Sequence, residues 1–244
     1  MLNELENFKQ AVARFGYSES TDEIAMGLAW TESLFGRGHD LLRFESMGLG
    51  VARTDARKGD VTTVDAPRCP AFGLVPTVLR LSMSGNSDQR LTKVCVKQVL
   101  GGWIAPYVAF RLAQKLHHAA VFWRPSTSPA QAEPPATLIL AASAVGGKVR
   151  PMMIAPGVPW TDERRDKLLV GQVPVELIDG LHELLSGFTE EKTSALAVTA
   201  VPESMGSQFS AFVALEDVIE SFGLDGEAPN LLNVERARSV AGRA

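Results

Sequence analysis

Residues 91–123 read LTKVCVKQVLGGWIAPYVAFRLAQKLHHAAVFW, and four structural signals follow one another in this stretch. Apolar and polar side chains alternate over 91–100, which favours a strand over a helix. After a pair of glycines, apolar residues recur at helical spacing over 105–118. Residues 119–123 are apolar and predict another strand. The stretch therefore predicts a strand, a tight turn, a helix and a second strand in succession.

Before this stretch the sequence is helical and then irregular. Apolar residues at helical spacing predict helices over 4–15 and 24–35, and a short third helix over 39–47. Residues 61–64 are β-like, and 77–83 are compatible with a strand. We expect no helix interior near 77–83, because Pro76 lacks a backbone N–H to donate.

After this stretch, 125–135 is rich in Pro, Ser, Thr and Ala without periodicity and predicts a linker. A β-hairpin over 136–155 follows. The remaining predicted elements are helices at 174–187 and 215–222 and strands at 195–201 and 210–215. The fold class expected is α+β, with a mostly helical, basic region at 1–124 and a β-hairpin-based region with one or two helices at 136–244.

Composition excludes several classes of protein. The chain has 244 residues, of which 45% are hydrophobic and 21% charged, so it is long and apolar enough to fold as a globular protein. No apolar run reaches the ~18 residues that a membrane span needs. The first ten residues lack the apolar core of a secretory signal. We therefore expect a cytoplasmic protein without a membrane partner.

Charge is distributed unevenly along the chain. The formal net charge is −4, yet residues 37–124 carry 13 Lys and Arg against 6 Asp and Glu. Such a region can form a phosphate-binding surface even in an acidic protein, because binding depends on local potential. The alternative is that these charges are solvated and pair with the acidic flanks.

Two groups of basic residues are the candidate nucleic-acid-binding site. Arg53, Arg57 and Lys58 lie in a polar segment between glycines and are expected to contact phosphates. The second group is expected to form one basic surface. Lys93 and Lys97 share a strand face, and Arg111 and Lys115 share a helix face. The whole group is Arg90, Lys93, Lys97, Arg111 and Lys115.

Two alternatives accompany this second group. The strand lysines could serve only to keep an exposed edge soluble. Aromatic residues interleave with the basic ones, a pattern typical either of base stacking or of core packing. They are Trp103, Tyr107, Phe110, Phe122 and Trp123.

Catalytic and metal motifs are not found. The Gly146-Gly147-Lys148 stretch lacks the Ser or Thr of a phosphate-binding loop, and no Gly-x-Ser-x-Gly occurs. Two cysteines and four scattered histidines do not make a zinc motif, so no metal and no cofactor are expected. Cys69 follows Arg68, a setting that could lower the pKa of its thiol, although a buried thiol is the alternative. The sequence therefore predicts a protein without enzymatic activity.

Residues 134–156, PPATLILAASAVGGKVRPMMIAP, resemble a segment of the large-subunit-like proteins of type IV CRISPR effector complexes. That segment has a Pro-Pro pair, an apolar strand, a small-residue turn with Ser and Lys, and a strand ending in Ala-Pro. Many family members carry cysteine pairs suited to zinc. This chain has only Cys69 and Cys95, so the resemblance implies a branch without zinc.

The resemblance implies a non-catalytic subunit of a prokaryotic antiviral ribonucleoprotein. Its expected partners are guide RNA, a short motif of target duplex DNA and the other protein subunits. The alternative is a protein-binding adaptor or immunity-type protein that acts through its acidic C-terminal half. Steep salt dependence of binding would favour the first function.

Overall fold

The computed structural model describes residues 2–47, 51–54, 61–84, 92–116, 118–125, 137–143, 149–154 and 211–217. Three predicted segments fall outside these residues apart from Pro125: the linker at 125–135, the helix at 174–187 and the strand at 195–201. The hairpin turn at 144–148 lies outside them as well. The strand predicted at 210–215 is confirmed by a strand at Ala211–Asp217. The helix predicted at 215–222 is wrong over 215–217, which belong to that strand, and 218–222 lie outside the described residues.

The first 47 residues form the helices that their apolar spacing predicts. They are α1 (Leu2–Arg14), α2 (Thr21–Phe35) and α3 (Gly38–Arg43), and a 3-10 helix at Phe44–Met47 extends the last of them. Phe8 and Val12 of α1 are fully buried in one cluster with Ile24 and Leu28 of α2. These four side chains hold the two helices together by burial of apolar surface.

The segment that contains Pro76 is a helix, α4 (Ala71–Met83), so the expected strand at 77–83 is wrong. Phe72, Val75 and Val78 are buried on one side of the helix at spacings of three residues. Burial of that apolar face outweighs the backbone hydrogen bond that Pro76 cannot donate.

The predicted strand, helix and strand within 91–123 are confirmed. They are β3 (Thr92–Val99), α5 (Ala105–Leu116) and β4 (His118–Pro125), and a short 3-10 helix, Gly102–Ile104, leads into α5. The remaining strands are β1 (Arg53–Thr54), β2 (Val61–Asp65), β5 (Thr137–Ser143), β6 (Val149–Ile154) and β7 (Ala211–Asp217).

All seven described strands belong to one mixed sheet, in the order β1-β2-β3-β7-β4-β5-β6. The four central strands, β2, β3, β7 and β4, run parallel, and the pairs β1–β2, β4–β5 and β5–β6 are antiparallel. Helices together with a mixed sheet confirm the expected α+β class. β5 and β6 pair antiparallel where the two hairpin strands are predicted. The expected arrangement, a mostly helical region followed by a hairpin-based one, is not confirmed, because four of the seven described strands lie within the first 125 residues.

The predicted boundary at 125–135 falls between β4 and β5, which are neighbours in this sheet. The described parts of both predicted regions therefore share one sheet. Val94 and Val96 of β3 join the core cluster that contains the apolar faces of α4 and α5. Among the described helices, none has both the length and the apolar character to cross a membrane.

Candidate functional site

The carboxyl ends of the four parallel strands meet at one edge of the sheet. Val99 of β3 is in register with Asp217 of β7, which is in register with Pro125 of β4. In sheets of parallel strands joined by helices, ligands bind outside the carboxyl ends of the strands. A ligand site is therefore expected at this edge of the sheet.

A glycine turn connects β3 to α5 at this edge. Gly101 has a left-handed backbone conformation with φ 78°, which glycine adopts without a steric penalty. A Cβ atom added to Gly101 would lie 2.7 Å from Phe44 Cδ2 and 2.8 Å from Leu41 Cδ2. The end of α3 and its 3-10 extension therefore cover the turn directly.

An arginine and two tryptophans lie side by side next to this turn. The guanidinium carbon of Arg37 lies 5.5 Å from the ring centroid of Trp103, and the rings of Trp103 and the fully buried Trp123 are 5.0 Å apart. Arg37 forms an ion pair with Asp40, with 3.4 Å between Nη1 and Oδ2. We name Arg37, Asp40, Trp103 and Trp123 the arginine–tryptophan cluster.

The cluster presents a positive group over an aromatic ring. The cation–π contact with Trp103 favours this position of the guanidinium, whose edge can donate two parallel hydrogen bonds to a carboxylate. Asp40 also lies 3.5 Å from Arg43, so one carboxylate faces two guanidinium groups. The side chain of Arg37 retains 32% of its exposure and can reach a ligand.

Backbone strain occurs where the segment after β2 meets the end of β3. Arg68 and Gln98 both have left-handed φ angles, 57° and 60°, although neither is glycine. The N–H of Arg68 donates to the carbonyl of Gln98 at 2.7 Å, which holds the two residues together. Strained residues of this kind concentrate at functional sites.

Cys69 does not have the electropositive setting that its neighbour Arg68 suggests. Its thiol is buried, and burial, followed by the charges of Asp65 and Glu45, raises its pKa. Glu45 in turn accepts a hydrogen bond of 3.0 Å from the hydroxyl of Tyr17. The suggestion of a lowered pKa is therefore wrong, and the thiol stays protonated at neutral pH.

We expect Cys69 to react slowly with thiol reagents in the folded protein. In a Cys95→Ala variant, which isolates this thiol, labelling by a disulfide reagent at pH 8 should be at least about tenfold slower than in the unfolded chain, since the thiolate is the nucleophile. Equal rates in the native and urea-unfolded protein would contradict the buried, acid-flanked setting.

The structure separates the predicted basic residues. Lys93 is buried at 8% exposure and Lys97 is partly buried, both on the face of β3 opposite to Val94. Arg111 and Lys115 lie on α5, which packs on the other face. These four residues therefore do not form the single surface expected, because alternation along the strand places the lysines away from the helix.

The other predicted site residues are placed only in part. Arg53 is exposed on β1 at the end of the sheet, whereas Arg57, Lys58 and Arg90 lie outside the described residues. Arg111 donates two hydrogen bonds to Glu23, at 2.7 and 2.8 Å. Nucleic-acid binding by these residues stays a prediction.

Sequence reasoning missed the arginine of the cluster. The local pattern places Arg37 only in a break between two helices, and nothing nearby indicates that it lies over Trp103, 66 residues later. One local signal in the sequence does indicate where the site lies. Gly101 and Gly102 follow a strand and lead into a helix, which is where a parallel sheet places its ligands.

No protein-family model matches the chain, and no curated protein matches its sequence. Six chains of solved structures are similar, and two dehydrogenases are among them. Malate dehydrogenase from Pyrococcus horikoshii OT3 has a TM-score of 0.50 and 14% identity, over 66% of this chain and 51% of that one. Sulfolactate dehydrogenase from Methanocaldococcus jannaschii has a TM-score of 0.49 and 11% identity, over 70% and 54%.

The chain spans about half the length of these two proteins, and the likeness is one of fold. The expectation of a protein without enzymatic activity is corrected by it, because the malate dehydrogenase is an enzyme with this fold. The resemblance at 134–156 stays a prediction.

Proposed function

We propose that the chain is an oxidoreductase of the dehydrogenase type that binds the carboxylate of a small hydroxy acid at Arg37. The observation that carries the proposal is the position of Arg37 over Trp103, beside the carboxyl ends of β3 and β4. The likeness in fold to a malate dehydrogenase supports the reaction class and suggests malate as the first ligand to test.

The cluster suits a small anion for three reasons. Its guanidinium is held against an indole face, so little side-chain freedom is lost when a carboxylate binds. Its second ring, Trp123, is fully buried against Trp103 and so keeps that indole in place beneath Arg37. Asp40 neutralises only part of the positive charge, because Arg37 and Arg43 both approach it.

A nucleotide does not fit at the glycine turn of this edge. The position that an open phosphate cradle needs above Gly101 is filled by the side chains of Phe44 and Leu41. We therefore assign the acid substrate to Arg37 and place no phosphate of the dinucleotide at Gly101.

Malate binding measured by intrinsic tryptophan fluorescence tests this function, since two indoles are part of the cluster. We expect Arg37→Ala to weaken malate binding by about tenfold or more, the effect of losing a charged hydrogen bond. Arg43→Ala is the matched control, because Arg43 shares Asp40 but is 75% exposed. Equal losses in both variants, or no response to malate in the wild type, would contradict the site.

Activity is the second measurement. Malate-dependent reduction of NAD⁺ or NADP⁺, followed by absorbance, is expected for the wild type and is expected to require more malate in Arg37→Ala. An Arg37→Ala variant with unchanged KM would remove Arg37 from the substrate site.

Nucleic-acid binding within a cytoplasmic ribonucleoprotein is the second function that we propose. Its phosphate contacts would come from Arg80 and Lys115, which line one surface pocket of about 450 Å³ between α2, α4 and α5. Three acidic residues, Glu19, Asp22 and Glu23, line the same pocket, so the two basic side chains would have to outweigh them. Guide RNA and target duplex DNA are the ligands to test. A double change to glutamate at Arg80 and Lys115 should lower affinity for an RNA oligonucleotide and flatten its salt dependence.

A further inference from the structure

Three ligating side chains from three helices converge on one side of the molecule. Glu4 comes from α1, Glu32 from α2 and His39 from α3, and one ligand atom of each lies within 4.8 Å of the other two. The chain brings them together because α1 packs along α2, while α3 begins just after α2 ends.

The imidazole ring of His39 packs on an aromatic ring, and the residue lies next to both carboxylates. Its ring stacks on Phe8 with 4.6 Å between centroids and 29° between planes. Its backbone N–H donates to Glu32 Oε2 at 3.0 Å. Its Nε2 lies 3.9 Å from Glu4 Oε1. The two carboxylates and the ring nitrogen therefore lie close to one another.

The negative charges of Glu4 and Glu32 are not paired with a basic side chain in the way that those of neighbouring acids are. Asp22 of α2 has Lys9 at 2.8 Å, and Glu23 has Arg111 at 2.7 Å. Within the described part of the chain, no Lys or Arg forms an ion pair with Glu4 or Glu32. The two carboxylates therefore leave a cluster of ligand atoms that a divalent cation could bridge.

We propose that Glu4, Glu32 and His39 bind a divalent cation of the Zn²⁺ class. One imidazole nitrogen and two carboxylate oxygens are ligands that Zn²⁺ accepts at about 2.0–2.2 Å, with water completing the coordination. Small rotations of the two glutamates would bring the three atoms to that distance. A hard cation such as Mg²⁺ prefers oxygen ligands alone and should bind more weakly.

The cation would connect α1 to the junction of α2 and α3. It would therefore stabilise the position of α3, whose neighbour Arg37 belongs to the arginine–tryptophan cluster. A search by Cys and His spacing does not find this site, because two of its three ligands are glutamates from separate helices.

Calorimetric titration of untagged, chelator-treated full-length protein with Zn²⁺ tests the site. We expect one ion per chain, and at least about tenfold weaker binding after Glu32→Gln or His39→Asn, since each variant loses one of three protein ligands. The control is Glu6→Gln, an exposed acid of α1 outside the group. It should bind Zn²⁺ as the wild type does.

Co²⁺ absorption and thermal unfolding provide independent readouts. Co²⁺ should give a visible absorption band that Zn²⁺ removes, and Zn²⁺ should raise the unfolding temperature more than Mg²⁺ does. Glu4→Gln, in the first turn of α1, should abolish both effects while leaving the circular dichroism unchanged. Wild-type Zn²⁺ affinity in Glu4→Gln, Glu32→Gln and His39→Asn alike would overturn the proposal.

Discussion

Gly38→Ala is expected to destabilise the protein by about 3 kcal/mol, at the upper end of the range for overpacked sites. A Cβ atom at this position would collide with the carbonyl oxygen of Leu28 and would lie 2.7 Å from Glu32 Cβ. The first of these atoms is backbone of α2 and cannot rotate away. The start of α3 would therefore have to move.

Gly36 offers a matched control two residues earlier. It has a left-handed φ of 64° but no atom within 4 Å of an added Cβ. Gly36→Ala should cost only the conformational term of about 1 kcal/mol. Urea unfolding of the two variants separates the effect of space from the effect of backbone conformation. Equal midpoints would contradict the close approach of α3 to α2.

Gly38→Ala should also weaken ligand binding at both proposed sites. Arg37 and His39 flank Gly38, so a displaced α3 moves the guanidinium away from Trp103 and the imidazole away from Glu32. Folded Gly38→Ala protein is therefore expected to show weaker malate and Zn²⁺ binding. Gly36→Ala should retain both, because Gly36 only ends α2.

Elements whose signals are local could be predicted from the sequence. The alternation over 91–100 predicts β3, and apolar spacing predicts α1, α2 and α5. The strand expected at 77–83 was wrong because α4 buries an apolar face. That burial outweighs the hydrogen bond that Pro76 cannot donate. The insertion of β7 between β3 and β4 carries no local signal, since alternation does not specify a partner strand.

Site residues were harder to predict because their partners are distant in sequence. Alternation correctly placed Lys93 and Lys97 on one face of β3, but it does not report whether that face is covered. The charges that act on Cys69 come from Asp65 and Glu45 rather than from adjacent Arg68. A search by spacing cannot find such contacts, because folding creates them.

Arg111 is the clearest case, and its pairing leads to the second large prediction. Its Nε and Nη2 donate to the two carboxylate oxygens of Glu23, 88 residues away, at 2.7 and 2.8 Å. The hydroxyl of Tyr107 donates to the same carboxylate at 2.7 Å. Burial, followed by the bond to Glu23, raises the pKa of Tyr107, so it remains a donor.

Glu23→Gln is expected to destabilise the protein by about 2 kcal/mol at pH 7. The value lies below the cost of breaking a fully buried pair, because about a fifth of each side chain stays exposed. The variant keeps the size of the side chain but loses its charge, which leaves Arg111 without its anion. Asp22→Asn is the control, since the carboxylate of Asp22 is 80% exposed and its pair with Lys9 is at the surface. It should have little effect.

The pH dependence identifies the charge as the cause. The hydrogen bond from Arg111 lowers the pKa of Glu23 in the folded protein. Stabilisation by this carboxylate is therefore complete above its unfolded pKa of about 4.3, and it is lost as pH falls through the lower folded value. Urea unfolding from pH 7 to pH 3 should show the gap between wild type and Glu23→Gln narrowing with acid. A gap that stays constant over this range would mean that side-chain packing, not the carboxylate charge, joins α2 to α5.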